Sequence, residues 1–165
     1  MKRSILKTVS TFVLAGTSVL MFATNSQAQF LNRNIDPRGP FVARSYVSGG
    51  LARDHIIEVG IAEVEVTGLT IQCFNLNDAK AVVVRTAMGE VVPSDVTIEP
   101  TKISISLKEV AKPGEHLVVN IEGIDFVQDG NSTFYFVSAK TPETGDSAVP
   151  VGAARILSPA RGRST

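Results

Sequence analysis

This chain of 165 residues has little cysteine and no excess of charge of either sign. It has one cysteine and no tryptophan, and its 16 basic residues balance 16 acidic ones, giving a formal net charge of zero. One cysteine excludes an internal disulfide and a zinc site built from several thiolates. Balanced charge excludes a bulk nucleic-acid binder, which would be strongly basic, so no nucleic-acid partner is expected.

The sequence also lacks the polar composition of a disordered chain and the apolar pattern of helices. Apolar residues make up 44% of the chain, which is too many for a disordered tail that buries no core. The length suits one domain. Beyond residue 28, no apolar pattern of helical period runs for a convincing length.

The first 28 residues are predicted to be a cleaved secretory signal peptide. A basic start is followed by a mostly apolar run at residues 9–23 and by small residues at the −3 and −1 positions before Gln29. The run is shorter than the roughly 20 residues that a membrane span needs. We therefore expect no stable membrane span after cleavage, and export to the periplasm or the extracellular space.

Charge is unevenly distributed along the remaining 137 residues. Residues 54–146 carry a net charge of −9, whereas residues 29–53 and 147–165 each carry +3, and the total is −3. We expect the arginine-bearing ends to fold back on the acidic domain, with contact to an external anionic surface as the alternative.

Two flanking segments are predicted around a domain at residues 54–157. Prolines and glycines punctuate residues 29–53, which predicts an irregular leader. Residues 158–165 have no core-forming content, which predicts a flexible tail.

Residues 54–157 show the period-2 alternation of strands with one buried face. The alternation that includes Ile57 and Ile61 slips by one residue afterwards, which predicts a bulge or bend near Ala62. Residues 81–84 form a continuous apolar run, which is typical of a strand covered on both faces. Pro150 and Gly152 predict that the last strand lies at an edge or contains a break.

Turn signals separate the predicted strands. Pro113 and Gly114 stand where a type II turn places proline and glycine, and residues 129–131 read Asp-Gly-Asn, a loop or hairpin signal. Seven or eight short strands with frequent turns are typical of an all-β sandwich or barrel. We predict a single antiparallel β-sandwich of the immunoglobulin-like class.

Two histidines are the first candidates for a metal or catalytic site. His55 shares the inward phase of Ile57, whereas His116 falls on an outward position, so the sequence does not bring the two rings together. Asp54 and His55 are neighbours, but adjacent side chains of a strand point to opposite faces. No G-x-S-x-G motif of a hydrolase is present.

Cys73 is predicted to be a buried apolar residue, because it falls in phase with Leu69 and Ile71. A blue-copper site requires two histidines, a cysteine and a weak axial ligand such as methionine. No histidine and methionine closely follow Cys73, and Met88 lies well downstream. No copper site is therefore predicted.

Calcium is the remaining metal hypothesis. Four oxygen-bearing side chains lie in predicted loops, but their spacing departs from the D-x-[DN]-x-[DN]-G pattern of a calcium loop. They are Asp125, Asp129, Asn131 and Asp146. A simple turn is the plainer interpretation, so we predict no catalytic, cofactor-binding or metal-ligating residue and no cofactor.

Aromatic residues cluster near the end of the domain. Phe134, Tyr135 and Phe136 are consecutive, with Phe126 upstream. Because neighbours on a strand alternate between faces, some of these rings must point outward. They predict either a binding strip or a second, covered face of a sheet.

Several short segments resemble, in order and spacing, a family of exported cyanobacterial proteins known only as a domain of unknown function. The segments span most of residues 55–157: His55-Ile56-Ile57-Glu58-Val59, Gly68-Leu69-Thr70-Ile71, Gly89-Glu90-Val91-Val92, Pro113-Gly114-Glu115 followed by Leu117-Val118-Val119, Tyr135-Phe136-Val137-Ser138-Ala139 and Pro150-Val151-Gly152-Ala153-Ala154-Arg155-Ile156. The resemblance implies a signal peptide, a compact β domain and an envelope or extracellular location. It brings no catalytic residues.

The sequence thus predicts an exported, non-enzymatic β-sandwich with a structural or binding role in the cell envelope and an unidentified partner there. The alternative is a periplasmic metal-binding or hydrolytic protein. A pocket that holds His55 or His116 together with two or more carboxylates would favour the alternative.

Overall fold

Nine antiparallel strands build two sheets in a computed structural model that describes residues 38–48, 54–74, 79–124 and 132–157. No helix occurs in these residues, and hence none that could cross a membrane. The strands are β1 (Phe41–Ser48), β2 (Asp54–Gly60), β3 (Val66–Gln72), β4 (Ala81–Thr86), β5 (Ser94–Glu99), β6 (Lys102–Ala111), β7 (His116–Glu122), β8 (Ser132–Lys140) and β9 (Val149–Leu157).

The strand order confirms the predicted β-sandwich. The first sheet has the order β1-β2-β7-β4 and the second has the order β5-β6-β3-β8-β9. The first sheet and the β3-β8-β9 part of the second correspond in order to the two sheets of an immunoglobulin constant-type domain. The hairpin β5–β6 extends the second sheet beside β3.

β1 is an additional strand beyond the seven or eight that the sequence predicts. It lies inside the segment predicted to be an irregular leader, so that prediction is wrong for residues 41–48. β1 pairs with β2 along its whole length, and Val42 and Val47 pack against the core. A register shift between Val42 and Arg44 interrupts the alternation. This bulge hides the period-2 pattern by which a strand is identified in a sequence.

The leader arginines confirm part of the expected fold-back on the acidic domain. Arg44 of β1 pairs with Glu58 of β2, and Arg38 lies 3.9 Å from Glu63. The backbone N–H of Glu63 also donates to the Arg38 carbonyl at 2.8 Å. Both arginines of this part of the leader therefore lie against acidic residues of the domain.

The core lies between the inward faces of the two sheets. Branched aliphatic side chains dominate it, as expected for pleated, buried faces. Ile57 and Val119 come from the first sheet, and Ile71 and Val137 come from the second, all fully buried. Cys73 is buried in the same core, as its phase predicts.

The phase slip near Ala62 marks a change of sheet. β2 ends at Gly60 in the first sheet and β3 begins at Val66 in the second, so the chain bends and crosses between the sheets. The prediction that residues 81–84 are covered on both faces is wrong. β4 lies at the edge of the first sheet, and Val84 is its one buried residue.

The predicted turn and edge strand are both confirmed. Gly114 has a φ of 87°, and the Glu115 N–H donates to the Lys112 carbonyl at 3.1 Å, as a type II turn requires. β9 lies at the edge of the second sheet, and its register with β8 shifts between Val137 and Ser138. Residues 129–131 lie outside the described residues.

The two long sides of the sandwich differ. On one side β1 and β9 are neighbours, and the Ser45 hydroxyl donates to the Arg155 carbonyl at 2.9 Å. On the other side β4 and β5 make few contacts. At this more open side, the connection from β4 to β5 and the turn from β6 to β7 border a groove.

Candidate functional site

His55 belongs to the core and not to a surface site. Its ring is buried, and its Nδ1 lies 2.8 Å from the Tyr135 hydroxyl on the opposite sheet. Burial lowers the pKa of His55 to about 4, so the ring is neutral at pH 7. Burial likewise raises the pKa of Tyr135, with a further contribution from Cys73. The pair connects the two sheets within the core.

His116 lies on the outer side of the first sheet, as its phase predicts. Its Nδ1 is 2.9 Å from Oε1 of Glu58, whose other oxygen contacts the Arg44 guanidinium. The hydrogen bond from Arg44 is the main cause that lowers the pKa of Glu58, and His116 contributes. Glu58 therefore links β1, β2 and β7 through its contacts with Arg44 and His116, and we call these three residues the Glu58 cluster.

His116 also borders the groove at the open side, which has a volume of about 640 Å³. Glu90, Glu109 and Glu115 line the same groove, so a histidine and three carboxylates share one depression. This is the feature that would favour a metal-binding or hydrolytic protein. However, no three His, Cys, Asp or Glu side chains among the described residues converge to hold a metal ion.

The orientation of these groups explains why they do not converge. The Glu115 carboxylate accepts a hydrogen bond from the Lys112 N–H at 2.8 Å, and the His116 Nδ1 is turned toward Glu58. Glu90 and Glu109 come from two separate elements, the β4–β5 connection and β6. The groove thus carries negative charge distributed along its length, which suits an elongated cationic ligand better than a single ion.

The other acidic candidates have structural contacts or lie outside the described residues. Asp54 accepts a hydrogen bond from the Gly123 N–H at 3.2 Å. Asp146 lies 3.6 Å from the Lys140 ammonium. Asp125, Asp129 and Asn131 are not among the described residues, so calcium binding there stays a hypothesis.

The aromatic segment alternates as its sequence predicts. Tyr135 points into the core, whereas Phe134 lies 47% exposed on the outside of the second sheet. The Arg155 guanidinium carbon lies 5.8 Å from the centre of the Phe134 ring, within the range of a cation–π contact. Phe136 is half-buried on the same outer side, and Phe126 lies outside the described residues.

A shallow hollow continues this surface across the end of the second sheet. It has a volume of about 380 Å³, and Phe136 borders it together with Phe74, which is 73% exposed. Gln72 and Lys102 are paired in register with Phe136 across β3 and β6, and Glu99 completes the rim. We call Phe134, Phe136, Arg155 and this hollow the outer aromatic face.

A row of hydroxyl groups lies beside the outer aromatic face. Four residues occupy one cross-strand row on the outside of the second sheet: Thr97, Ser104, Thr70 and Ser138. Each stands at an outward position of the period-2 pattern, so the sequence contains the signal. Recognising the row requires the strand register, which the sequence does not reveal.

Comparison with known proteins finds weak similarities to solved structures and no match by sequence. No protein family and no curated protein matches the chain. Among solved structures, the major pilin subunit of Bacillus cereus is 10% identical with a TM-score of 0.43 over 72% of this chain, which spans 40% of the pilin chain.

Two enzymes show comparable similarity to this chain. One catalyses macrocyclization in alchivemycin A biosynthesis and is 6% identical, with a TM-score of 0.36 over 76% of this chain and 89% of its own. A family 123 glycoside hydrolase from Clostridium perfringens is 9% identical, with a TM-score of 0.32 over 70% of this chain and 22% of its own. At these identities and TM-scores the similarity transfers no activity to this chain.

Proposed function

We propose that this protein is an exported, non-enzymatic β-sandwich that binds a component of the cell envelope through the outer aromatic face. The observation that carries the proposal is the outward position of Phe134 and Phe136 beside Arg155. Exposed aromatic rings framed by polar groups are typical of binding surfaces.

The composition of the face favours an envelope polysaccharide as the ligand. A sugar ring has apolar C–H groups that can stack on a phenyl ring, and a rim of hydroxyl groups that need hydrogen-bonding partners. Phe134 and Phe74 offer exposed rings, and Gln72, Lys102 and Glu99 offer donors and acceptors at the edge of the hollow.

Export is supported by the pattern of residues 1–28, in which a basic start, an apolar run and a small-residue site follow in the order of a signal peptide. The resemblance to exported cyanobacterial domains of unknown function supports the same location. Fractionation of cells that express the full chain, with immunodetection of a shortened product outside the cytoplasm, tests this part.

Co-sedimentation with insoluble envelope polysaccharides tests binding. The wild type should sediment with at least one of peptidoglycan and cell-surface glycan, and Phe134→Ser should lose most of the bound fraction. Tyr46→Ser is the matched control, because Tyr46 is 42% exposed on the first sheet with the Arg44 guanidinium 5.6 Å from its ring. Equal loss in both variants, or no sedimentation of the wild type, contradicts the proposal.

The alternative, a periplasmic metal-binding or hydrolytic protein, depends on the groove beside His116. Calorimetric titration with Zn²⁺ and Ca²⁺ tests it. Binding that is lost in His116→Gln or Glu109→Gln would support the alternative. The distributed placement of the groove carboxylates leads us to expect no heat of binding.

A further inference from the structure

The groove at the open side combines exposed apolar side chains with unbalanced charge, and it lies apart from the outer aromatic face. Met88 is 92% exposed and Val91 is 60% exposed, and Val110 of β6, which is 40% exposed, lines the same groove. Three exposed apolar side chains around one depression form a surface that a partner would cover favourably.

The charge of the groove is negative. Glu90, Glu109 and Glu115 line it against one lysine, Lys112. Neither the Glu90 nor the Glu109 carboxylate has an ion-pair partner among the residues that the structure describes. Cationic groups are therefore the natural complement of this surface.

The sequence of the chain contains one segment with that chemistry. Residues 158–165 read Ser-Pro-Ala-Arg-Gly-Arg-Ser-Thr, with two arginines and no acid. In an extended strand, Arg161 and Arg163 would point to the same side. Small residues on either side of Arg161 would let the backbone approach a groove closely. Arginine is suited to this role, because its guanidinium can bind a carboxylate in two parallel hydrogen bonds.

The segment cannot reach the groove of its own copy. Ala111 at the groove is level with Val66, and Leu157 is paired with Ser132 at the opposite end of the second sheet. From Val66 the sheet extends six residues along β3 to Gln72. Phe136 of β8 pairs with Gln72, and Ser132 lies four residues farther in the same direction. The two levels are therefore about 33 Å apart along the strands. Arg163, six residues beyond Leu157, extends at most about 21 Å.

We propose that the acidic groove binds residues 158–165 of a second copy of this chain, so that copies associate head to tail. The arginines of one copy pair with Glu90 and Glu109 of the next, and the chain between them covers Met88 and Val91. A head-to-tail contact uses two different surfaces, so repetition from copy to copy gives a ring where the rotation closes and an open chain of copies where it does not. Because the bound segment is short and charged, the association is weak and sensitive to salt.

Sedimentation velocity of the purified protein over a range of concentrations at low salt tests the proposal. The wild type should form species larger than a monomer, and 0.5 M salt should reverse the association. Glu90→Lys with Glu109→Lys, and separately Arg161→Glu with Arg163→Glu, should each raise the apparent dissociation constant at least tenfold. A wild type that stays monomeric at its highest soluble concentration overturns the proposal.

Mixing the two charge-reversed proteins gives the sharpest result. Each groove then meets a segment of opposite charge, so the mixture should associate although neither protein does so alone. Glu65→Lys with Glu143→Lys is the control, since it changes net charge equally at exposed residues outside the groove. If the groove variant loses association but the arginine variant does not, a different segment occupies the groove and the proposal is wrong.

Discussion

The imidazole of His55 and the phenol of Tyr135 meet in the buried space between the two sheets. His55 Nδ1 lies 2.8 Å from the Tyr135 hydroxyl, and the two rings are arranged edge to face with their centroids 5.6 Å apart. One ring comes from β2 and the other from β8, which are strands of different sheets. Because both rings are buried, this hydrogen bond pairs polar groups that lie away from solvent.

Removing the tyrosine hydroxyl should destabilise the fold. Tyr135→Phe leaves His55 Nδ1 without this partner in the core, which costs about 1–3 kcal/mol of unfolding free energy. Equilibrium urea denaturation measures the change. Tyr46→Phe removes an exposed hydroxyl and should change the free energy by less than about 0.5 kcal/mol, and equal effects in the two variants would contradict the role assigned to the pair.

Acid should weaken the fold through His55 before carboxylates titrate. Burial lowers the pKa of His55 from 6.5 to about 4, so the unfolded chain binds a proton at a higher pH than the folded chain. Above pH 6.5 His55 is neutral in both states and does not reduce stability. As the pH falls from 6.5 to 4, the unfolded chain alone gains the proton, and the unfolding free energy falls by about 3 kcal/mol in total.

Urea denaturation at pH values from 7.5 to 5 measures this loss. His55→Gln removes the titration, so its unfolding free energy should fall less steeply than that of the wild type across this window. A wild type and a variant with parallel pH profiles would show that His55 is protonated equally in both states.

The Glu58 cluster should contribute more to the unfolding free energy than an ion pair whose two side chains are both exposed. Glu58→Gln removes the charge that holds Arg44 and His116 and should lower the unfolding free energy by about 1–2 kcal/mol. Glu63→Gln is the comparison, because the Arg38–Glu63 pair is exposed and 3.9 Å apart; its effect should stay within about 0.5 kcal/mol. The ranking would be wrong if Glu63→Gln cost as much as Glu58→Gln.

Local alternation explains most of what the sequence predicts correctly. A period of two within one strand accounts for the inward side chains of His55 and Cys73 and for the outward side chain of His116. It also accounts for the alternation by which Tyr135 points inward between two outward phenylalanines. The change of sheet after Gly60 is visible in the sequence as well, because the alternation of apolar and polar residues shifts by one residue where the chain crosses. These features need no knowledge of which strands are neighbours.

Features that depend on pairing between distant segments were not predictable. The continuous apolar run at residues 81–84 would look the same in a central strand of a sheet as in an edge strand. β4 is an edge strand because it pairs with β7 alone. The His55–Tyr135 contact joins residues 80 positions apart. The groove requires Glu90 and Glu109 to be brought together by the fold. Alternation within a strand carries none of this information.

The turn between β6 and β7 gives a prediction that rests on backbone geometry. Gly114 has a φ of 87°, and a Cβ there meets open space, so the cost of Gly114→Ala is conformational alone. The variant should lose about 1 kcal/mol of unfolding free energy. Pro113→Ala, at a position of ordinary φ, should lose less, and chemical denaturation of both variants measures the difference.

The central claim is that the outer aromatic face is the binding surface of an exported module. NMR titration of the isotope-labelled protein with solubilised envelope glycan fragments tests it most directly. We predict concentration-dependent shifts centred on Phe134, Phe136 and Gln72, with no comparable shifts at Met88 or Val91 in the groove. Shifts confined to the groove, or no shifts with any envelope glycan, would contradict the claim.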